Sequence, residues 1–302
     1  MTTALRIPAA TVRAVAERFG AAGVEWVEAQ DRALADFAKR YSLALDRVID
    51  GGLDQNSVFL VNQAGASRVL KTGYPEPELF TELGVLQHWR GQPGCVQLLE
   101  ADLVNGIMLM ERVIPGQTFR QAVAADRSEE IPDLFEQTTL TALNAGFPDY
   151  SGWVGRAFAQ YEQRPLAEFD SHLALARGFC AELLAPGAEQ SLIHGDLHHE
   201  NMLRDERGWT AIDPKGVIGP PVLNYGRFIH NFMADVAQDS AAIQAVLSQR
   251  VDKLAGRFSR ERLLQAGYLD LVLSVCWTLN GGSPLRPQTR LLLESYARVL
   301  AR

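Results

Sequence analysis

The spacing of apolar residues predicts helices over residues 8–40. Val24, Val27, Leu34 and Phe37 recur at about one helical turn in the second half of this segment. A glycine-containing stretch at residues 20–23 interrupts the pattern. We therefore expect two helices with a break near these glycines.

After these helices, the pattern predicts two β-hairpins with a helix between them. The first hairpin turns at Gly65, and the second at Asn105-Gly106, a dipeptide typical of tight hairpin turns. The intervening helix carries prolines near its first turn, where a missing amide hydrogen costs little. The predicted elements cover residues 58–61, 68–71, 75–89, 96–104 and 107–110.

The rest of the chain is predicted to contain more helix than the N-terminal part. Beyond Pro115-Gly116 it is predicted to be chiefly helical, with short strands and loops around residues 191–220. The 302 residues suggest about two domains at roughly 150 residues each. We expect an α+β protein with an N-terminal part at residues 1–113 and a mainly helical part at residues 114–302.

Composition narrows the class of protein further. Hydrophobic residues make up 47% and charged residues 22%, which is typical of a globular protein and excludes collagenous or disordered chains. The net charge of −7 argues against a nucleic-acid partner. The three cysteines are far apart, and neither a signal peptide nor a membrane span is apparent. We expect a cytoplasmic monomer or homodimer without a membrane partner.

One segment carries the residue types that phosphoryl transfer requires. Asp196 and Asn201 are five residues apart, and Asp213 follows twelve residues later at the end of an apolar run. One carboxylate can orient the acceptor hydroxyl, while a second carboxylate and an amide can hold magnesium. Kinases have this spacing, with His-Arg-Asp where this chain has residues 194–196 and Asp-Phe-Gly where it has residues 212–214.

Alternatives to this interpretation are weaker. His194, His198 and His199 could suggest zinc, but they fall in a predicted loop without a nearby cysteine. Residues 51–57 lack the spacing of a glycine-rich phosphate loop, so they are either an ordinary turn or a phosphate cover. Lys215 could reach a phosphate or lie on the surface, and Trp277 could belong to the core or to a pocket.

The spacing resembles the aminoglycoside phosphotransferase and choline kinase branch of the kinase-like superfamily. Residues 194–201 and 211–216 are most similar to the streptomycin kinases and hydroxyurea-type antibiotic phosphotransferases. Trp26, residues 40–43 and residues 273–277 also fall where that family has similar patterns. The resemblance covers nearly the whole chain. It implies a bilobal protein-kinase-like fold with a small antiparallel-sheet N-lobe, and it implies ATP and Mg²⁺ as cofactors.

The resemblance also implies roles for individual residues in the reaction. Asp196 would be the catalytic base, and His194 would brace the catalytic loop. Asn201 and Asp213 would be the magnesium ligands. Lys71 would contact the α- and β-phosphates of the nucleotide.

Further roles concern nucleotide binding. Ser57 would belong to a phosphate cover, and Met110, Glu111 and Val113 would lie in the hinge whose backbone binds adenine. Glu82 would pair with the lysine at position 71. The sequence supports this pairing independently, because position 82 lies within an inward stripe of leucines, where a carboxylate is costly unless it is paired.

The expected activity is ATP-dependent phosphorylation of a hydroxyl on a small polar acceptor, with an aminoglycoside such as streptomycin as the first candidate. The alternatives are a metabolic kinase for a sugar, amino alcohol or hydroxyurea-like acceptor, and a nucleotide-binding pseudokinase. Two departures weaken the aminoglycoside assignment. Pro220-Pro221 and Asn280 stand where streptomycin kinases tend to carry acidic residues. A desolvated polycation needs such acids as partners.

Overall fold

A computed structural model describes residues 5–49, 56–125, 133–141 and 146–301. Backbone contacts divide the chain into two compact units, Met1–Gly116 and Gln117–Arg302. The sequence predicts a division after residue 113, and the boundary between the two units falls three residues later. It lies within strand β6, which covers Pro115–Thr118.

Among its described residues, the first unit consists of a sheet and two helices. Its elements in chain order are α1 (Ala9–Arg40), β1 (Leu43–Ile49), β2 (Asn56–Gln63), β3 (Ala66–Gly73), α2 (Pro77–His88), β4 (Leu98–Asp102) and β5 (Ile107–Glu111). The strands form one sheet in the order β1-β2-β3-β5-β4, and all neighbours are antiparallel. Both predicted hairpins and the helix between them are therefore present.

Strand β1 lies outside the predicted strands. Its register against β2 shifts between Leu45 and Arg47, and this irregularity interrupts the two-residue alternation. Three of its seven residues are exposed. A strand without regular alternation carries no clear signal in the sequence.

Helix α1 is interrupted where the sequence predicts a break. Gly20 has φ 59° and ψ −135°, which is not helical, so the helix consists of two segments. Gly23 lies against the first segment, because a Cβ atom there would stand 2.6 Å from the carbonyl oxygen of Val15. The helix covers one face of the sheet with a buried apolar cluster that includes Leu34, Phe37, Phe59, Val61, Leu70, Ile107 and Leu109.

The second unit is mainly helical. Its elements are α3 (Phe119–Ala125), α4 (Leu134–Gln137), β7 (Leu140–Thr141), α5 (Tyr150–Tyr161), α6 (Asp170–Leu183), β8 (Ser191–Ile193), β9 (Met202–Asp205), β10 (Gly208–Ala211), β11 (Val217–Gly219), α7 (Gly226–His230), α8 (Met233–Val236), α9 (Ser240–Leu254), α10 (Arg260–Asn280) and α11 (Pro287–Leu300). Short 3₁₀ turns cover Ala167–Phe169 and Pro221–Tyr225.

Helix α10 forms the centre of this unit. It packs against α5, α6, α7 and α11, and most of its residues are buried. A helix that is apolar around most of its circumference is typical of such a central position. In the part of the chain that the structure describes, no helix is both long enough and apolar enough to cross a bilayer.

Candidate active site

The first unit holds a buried ion pair between its sheet and helix α2. Nζ of Lys71 on β3 donates to both carboxylate oxygens of Glu82, at 2.7 and 2.8 Å. Both side chains are less than a tenth exposed. A carboxylate at this depth needs a cationic partner, which is the argument that predicts the pair from the sequence.

The register of the sheet separates Lys71 from Ser57. Val58 lies opposite Lys71 and Ser57 lies opposite Thr72, so the two neighbouring pairs point to opposite faces. The Ser57 hydroxyl faces helix α1 and donates to the Thr11 hydroxyl at 3.3 Å. The sequence-based role of Ser57 in a phosphate cover is therefore corrected, because its side chain is buried on the other face of the sheet. The preceding residues 51–55 of that predicted cover lie outside the described residues.

The predicted hinge residues lie in the last two positions of β5 and just beyond its end. Met110 lies opposite Val69, which places it on the same sheet face as Lys71. Glu111 is tied to Gln97 by a backbone hydrogen bond of 3.0 Å and by its carboxylate, which accepts from the Gln97 amide at 3.1 Å. Val113 is buried and lies beyond the last paired residue of the strand.

His194 joins the loop that carries Asp196 to the loop that carries Asp213. Its Nε2 lies 2.9 Å from the carbonyl of Ile212, which can only accept, and its Nδ1 accepts from the amide of Asp196 at 3.2 Å. This pairing requires a neutral ring protonated at Nε2. Burial lowers the pKa of His194 to about 4, in agreement with a neutral ring. The His194 carbonyl also accepts from the amides of Lys215 and Gly216.

The shape of the loop that carries Asp196 requires glycine at position 195. Its φ is +81°, in the left-handed region that favours glycine. A Cβ atom at this position would stand 3.0 Å from Val217 and 3.2 Å from the Trp153 ring. These contacts explain why glycine stands here in place of the arginine of His-Arg-Asp.

Asp196 lies between a guanidinium and an imidazole. Its Oδ1 is 3.0 Å from Nε of Arg227, and its Oδ2 is 3.9 Å from Nε2 of His198. Burial raises the pKa of the Asp196 carboxyl, while Arg227 and His198 act in the opposite direction, and the net shift is upward. The carboxylate is 19% exposed, so it is accessible to a small molecule.

Hydrogen bonds tie Asn201 both to this loop and to the residue that precedes Asp213. Nδ2 of Asn201 donates to the carbonyl of Asp196 at 2.9 Å, which fixes the amide and makes Oδ1 the atom that can coordinate a cation. The amide of Ile212 donates to the Asn201 carbonyl at 3.0 Å and thereby brings Asp213 alongside. An amide oxygen and a carboxylate are hard donors, and this set fits Mg²⁺ held jointly with phosphate oxygens.

A further chain of charged residues continues from Asp196. Nε of Arg227 also lies 3.2 Å from Oδ2 of Asp270, and Nη1 donates to the Ser274 hydroxyl at 3.1 Å. Nε2 of His230 lies 2.7 Å from the same oxygen of Asp270. Burial alone would raise the pKa of Asp270, but Arg227 and His230 outweigh it and lower the pKa. Asp270 is therefore an anion that neutralises Arg227.

The sequence analysis did not identify Asp270 and His230. A signal exists for Asp270, because it interrupts the apolar run of α10 between Leu269 and Leu271. The same argument that predicts a partner for Glu82 applies to a carboxylate in such a run.

The remaining residues named in the sequence analysis have separate environments. His199 is buried and stacks on Phe228 with ring centroids 4.2 Å apart, so it belongs to the core. Trp277 is 39% exposed and lies edge-on to Trp153. Within the described residues, no cluster of three or more His, Cys, Asp or Glu is arranged for a metal.

The antiparallel sheet with its buried lysine–glutamate pair and the helical unit with its Asp-Asn-Asp loops define a protein of the kinase-like class. Residues 48–282 match the model of the aminoglycoside/hydroxyurea antibiotic resistance kinases, and the chain belongs to this family of small-molecule phosphotransferases. The resemblance stated from the sequence is thus confirmed.

Curated relatives agree with this membership. A hydroxyurea phosphotransferase of Kitasatospora aureofaciens is 31% identical over 72% of this chain, and the matched region spans 66% of that relative. A streptomycin 3''-kinase of Klebsiella pneumoniae is 29% identical over 74% of this chain and 84% of its own length. A streptomycin 6-kinase of Streptomyces griseus is 25% identical over 97% of this chain and 98% of its own length.

Solved structures show the same fold at low sequence identity. The choline kinase LicA of Streptococcus pneumoniae has a TM-score of 0.61 at 13% identity, and it covers 89% of this chain and 99% of its own. The aminoglycoside phosphotransferase APH(4)-Ia, in a ternary complex with ADP and hygromycin B, has a TM-score of 0.61 at 12% identity, with 88% of this chain and 96% of its own covered. These similarities confirm the predicted α+β, protein-kinase-like fold.

Proposed function

We propose that this protein transfers the γ-phosphoryl group of ATP to a hydroxyl of a small polar molecule. The observation that carries the proposal is the loop arrangement of the second unit. There, the amide of Ile212 donates to the Asn201 carbonyl, and the Asn201 side chain donates to the carbonyl of Asp196, whose carboxylate is partly exposed. Phosphoryl transfer depends on positioning and on electrostatic stabilisation, and this residue set provides both.

Each residue of the loops has a role in this proposal. Asp196 orients the acceptor hydroxyl and takes its proton as the new oxygen–phosphorus bond forms, while the bond between the γ-phosphorus and the β–γ bridging oxygen breaks and ADP leaves. His194, as a neutral ring, ties the loop of Asp196 to the loop of Asp213. Asn201 through Oδ1 and Asp213 through its carboxylate would hold Mg²⁺. When bound, Mg²⁺ neutralises charge on the phosphate oxygens.

The first unit supplies the residues for the nucleotide. Lys71, held by Glu82, would contact the α- and β-phosphates as a cation whose position is set by two hydrogen bonds. The backbone around Met110, Glu111 and Val113 would bind adenine. Ser57 is left out of this assignment because it faces helix α1. Because ATP is the proposed phosphoryl donor, we also propose a cytoplasmic location for this protein.

Two acceptor classes follow from the relatives. An aminoglycoside such as streptomycin is supported by the two streptomycin kinases and by the ternary complex with hygromycin B. A hydroxyurea-like acceptor is supported by the hydroxyurea phosphotransferase, which has 31% identity. The pseudokinase alternative is disfavoured, because the lysine–glutamate pair and all three loop residues are present.

Substitution of the proposed base tests the activity. Asp196→Asn keeps the shape of the side chain but removes the proton acceptor, so ATP-dependent phosphorylation should fall roughly 100-fold or more. Coupled detection of ADP across a panel of aminoglycosides and hydroxyurea measures turnover, and calorimetry with an ATP analogue measures nucleotide binding. Asp252→Asn, an exposed carboxylate on α9, is the matched control. Full turnover by Asp196→Asn would show that the assigned base is incorrect.

A further inference from the structure

A short linker joins the two elements that carry the buried ion pair of the first unit. Residues 74–76 connect β3, which carries Lys71, to α2, which carries Glu82. Prolines within this linker and directly after it restrict its backbone, because a proline ring fixes φ. The amide of Glu76 also donates to the carbonyl of Tyr74 at 2.7 Å. In a linker this stiff, the position of α2 depends on where Tyr74 is held.

Helix α1 contacts this linker through two aromatic rings. Phe19 stacks on Tyr74 with ring centroids 3.8 Å apart and an angle of 10° between the ring planes. Trp26 lies edge-on to Tyr74, with ring centroids 5.6 Å apart. The two rings belong to the two segments of α1, on either side of the break at Gly20. Tyr74 therefore contacts both segments of the helix.

A buried hydrogen-bond network ties the end of β3 to the same helix. Nε2 of Gln30 donates to the hydroxyl of Thr72 at 2.6 Å and to the carbonyl of Asn105 at 2.8 Å. The Thr72 hydroxyl donates in turn to the carbonyl of Gly106 at 3.0 Å. Gln30 and Thr72 are both buried, so these bonds are shielded from water. The residue directly after Lys71 is thus also held by α1.

The geometry of the ion pair needs restraints with a direction. Nζ of Lys71 makes two hydrogen bonds to the Glu82 carboxylate, at 2.7 and 2.8 Å, and such bonds weaken steeply when their geometry changes. The apolar face of α2 is buried, but hydrophobic packing is non-directional. The ion pair between Arg18 and Glu76 is largely exposed and adds little. The aromatic contact and the buried network supply the directional restraint.

We propose that Tyr74 is a positioning residue for nucleotide binding. Held by Phe19 and Trp26, it fixes the linker and thereby keeps Glu82 where it orients Lys71. This inference rests on the proposed phosphotransfer activity, in which Lys71 contacts the α- and β-phosphates of ATP. Tyr74 acts through the ion pair, because its ring lies against α1. Removal of the ring should therefore weaken nucleotide binding only while the ion pair is present.

A double-mutant cycle tests this dependence. Tyr74→Ala is made in the wild type and in Lys71→Met/Glu82→Leu, where apolar groups replace the ion pair. Calorimetry measures the dissociation constant of AMP-PNP with Mg²⁺ for the four proteins. In the wild type, we expect Tyr74→Ala to weaken binding about tenfold, a coupling in the usual range for interacting residues. In the variant without the ion pair, the same substitution should change the constant by less than about twofold.

Three further variants separate positioning from a general loss of stability. Tyr74→Phe keeps the ring that contacts α1 and should retain wild-type affinity. Phe19→Ala removes the stacking partner without changing the linker, and it should weaken binding as much as Tyr74→Ala does. Phe37→Leu destabilises the last turn of α1, where Phe37 packs on Tyr41, and should leave the affinity within about twofold of the wild type.

Urea unfolding shows which variants are folded. If Tyr74→Ala is not, Phe19→Ala takes its place in the cycle. Three results would overturn the inference: equal weakening with and without the ion pair, unchanged affinity in Tyr74→Ala, or an equally large loss in Phe37→Leu. All of these are binding measurements and do not depend on turnover. Failure of the phosphotransfer proposal would instead appear as unchanged turnover in Asp196→Asn, so the two failures are distinguishable.

Discussion

Nε of Arg227 lies 3.0 Å from Oδ1 of Asp196, so the proposed base has a cation as its neighbour, and the side chain of that cation is 16% exposed. The same nitrogen lies 3.2 Å from Oδ2 of Asp270 and is therefore shared between two carboxylates. Burial alone would lower the pKa of Arg227, but Asp270 and Asp196 outweigh it and raise the pKa. The guanidinium thus remains charged next to the proposed base.

The first prediction concerns Asp270 as the anchor of this arginine. Asp270→Asn removes the charge that neutralises Arg227 while leaving the volume of the side chain nearly unchanged. We expect the free energy of unfolding to fall by about 3 kcal/mol, because a mostly enclosed cation loses a buried partner. We also expect kcat to fall, since Arg227 then shifts toward Asp196. Urea unfolding and steady-state kinetics measure the two effects.

An exposed ion pair provides the control for this prediction. Asp252 and Arg260 are in contact, but their side chains are 65% and 42% exposed. Asp252→Asn should change the free energy of unfolding by less than about 1 kcal/mol. Equal effects of the two substitutions would contradict the assignment of Asp270 as the anchor.

The second prediction concerns the buried pair on β3 and α2. Lys71→Met leaves the Glu82 carboxylate without its cation and should cost about 3 to 5 kcal/mol of stability. Lys71→Met/Glu82→Leu replaces the whole pair by apolar groups and should recover most of this loss. Phosphorylation should be lost in both variants. The double variant should therefore regain stability without regaining activity. Urea unfolding measures its stability, and detection of ADP measures its activity.

An ion pair at the surface provides the control for this experiment. Arg18 and Glu76 lie 2.9 Å apart, with side chains 55% and 31% exposed. Arg18→Met should cost less than about 1 kcal/mol and leave turnover unchanged. Activity retained in the Lys71→Met/Glu82→Leu variant would argue against a role for Lys71 at the phosphates.

The third prediction concerns the glycine before the base. Gly195→Ala adds a methyl group at φ +81°, within 3.0 to 3.2 Å of Val217 and Trp153. Strain and overpacking together should cost about 3 kcal/mol, and the shift of the loop should lower kcat. Gly187→Ala is the control, because Gly187 has φ +86° but nothing within 4 Å of its Cβ position. It should cost about 1 kcal/mol without loss of activity.

The fourth prediction is a pH dependence of stability. Burial lowers the pKa of His194 to about 4, whereas a histidine in the unfolded chain takes up a proton near pH 6.5. Between these values the unfolded chain binds more protons, so stability must decrease as the pH falls from 6.5 toward 4. The loss from His194 alone should be about 3 kcal/mol.

Urea midpoints at a series of pH values measure this dependence. His194→Gln provides a side chain that can donate to the Ile212 carbonyl and accept from the Asp196 amide without titrating. The variant should show a smaller decrease in stability between pH 6.5 and 4 than the wild type. An identical decrease in both proteins would exclude a buried neutral His194.

The sequence alone determined the parts of the site that depend on local spacing. Asp196, Asn201 and Asp213 fall within one segment of 18 residues, and the hydrogen bonds that join them run within that segment. Lys71 and Glu82 are 11 residues apart, and the apolar stripe around Glu82 already requires a cation. Turn and periodicity signals likewise predicted both hairpins, the helix between them and the break near Gly20.

Only the tertiary structure decided which distant side chains meet. The ladder between β2 and β3 places Ser57 on the opposite face from Lys71, which no spacing within β2 reveals. Arg227 and Asp270 are 43 residues apart and meet because α7 packs on α10. A short motif records residue types at fixed separations along the chain, whereas long-range partners are selected by the packing of whole helices and strands.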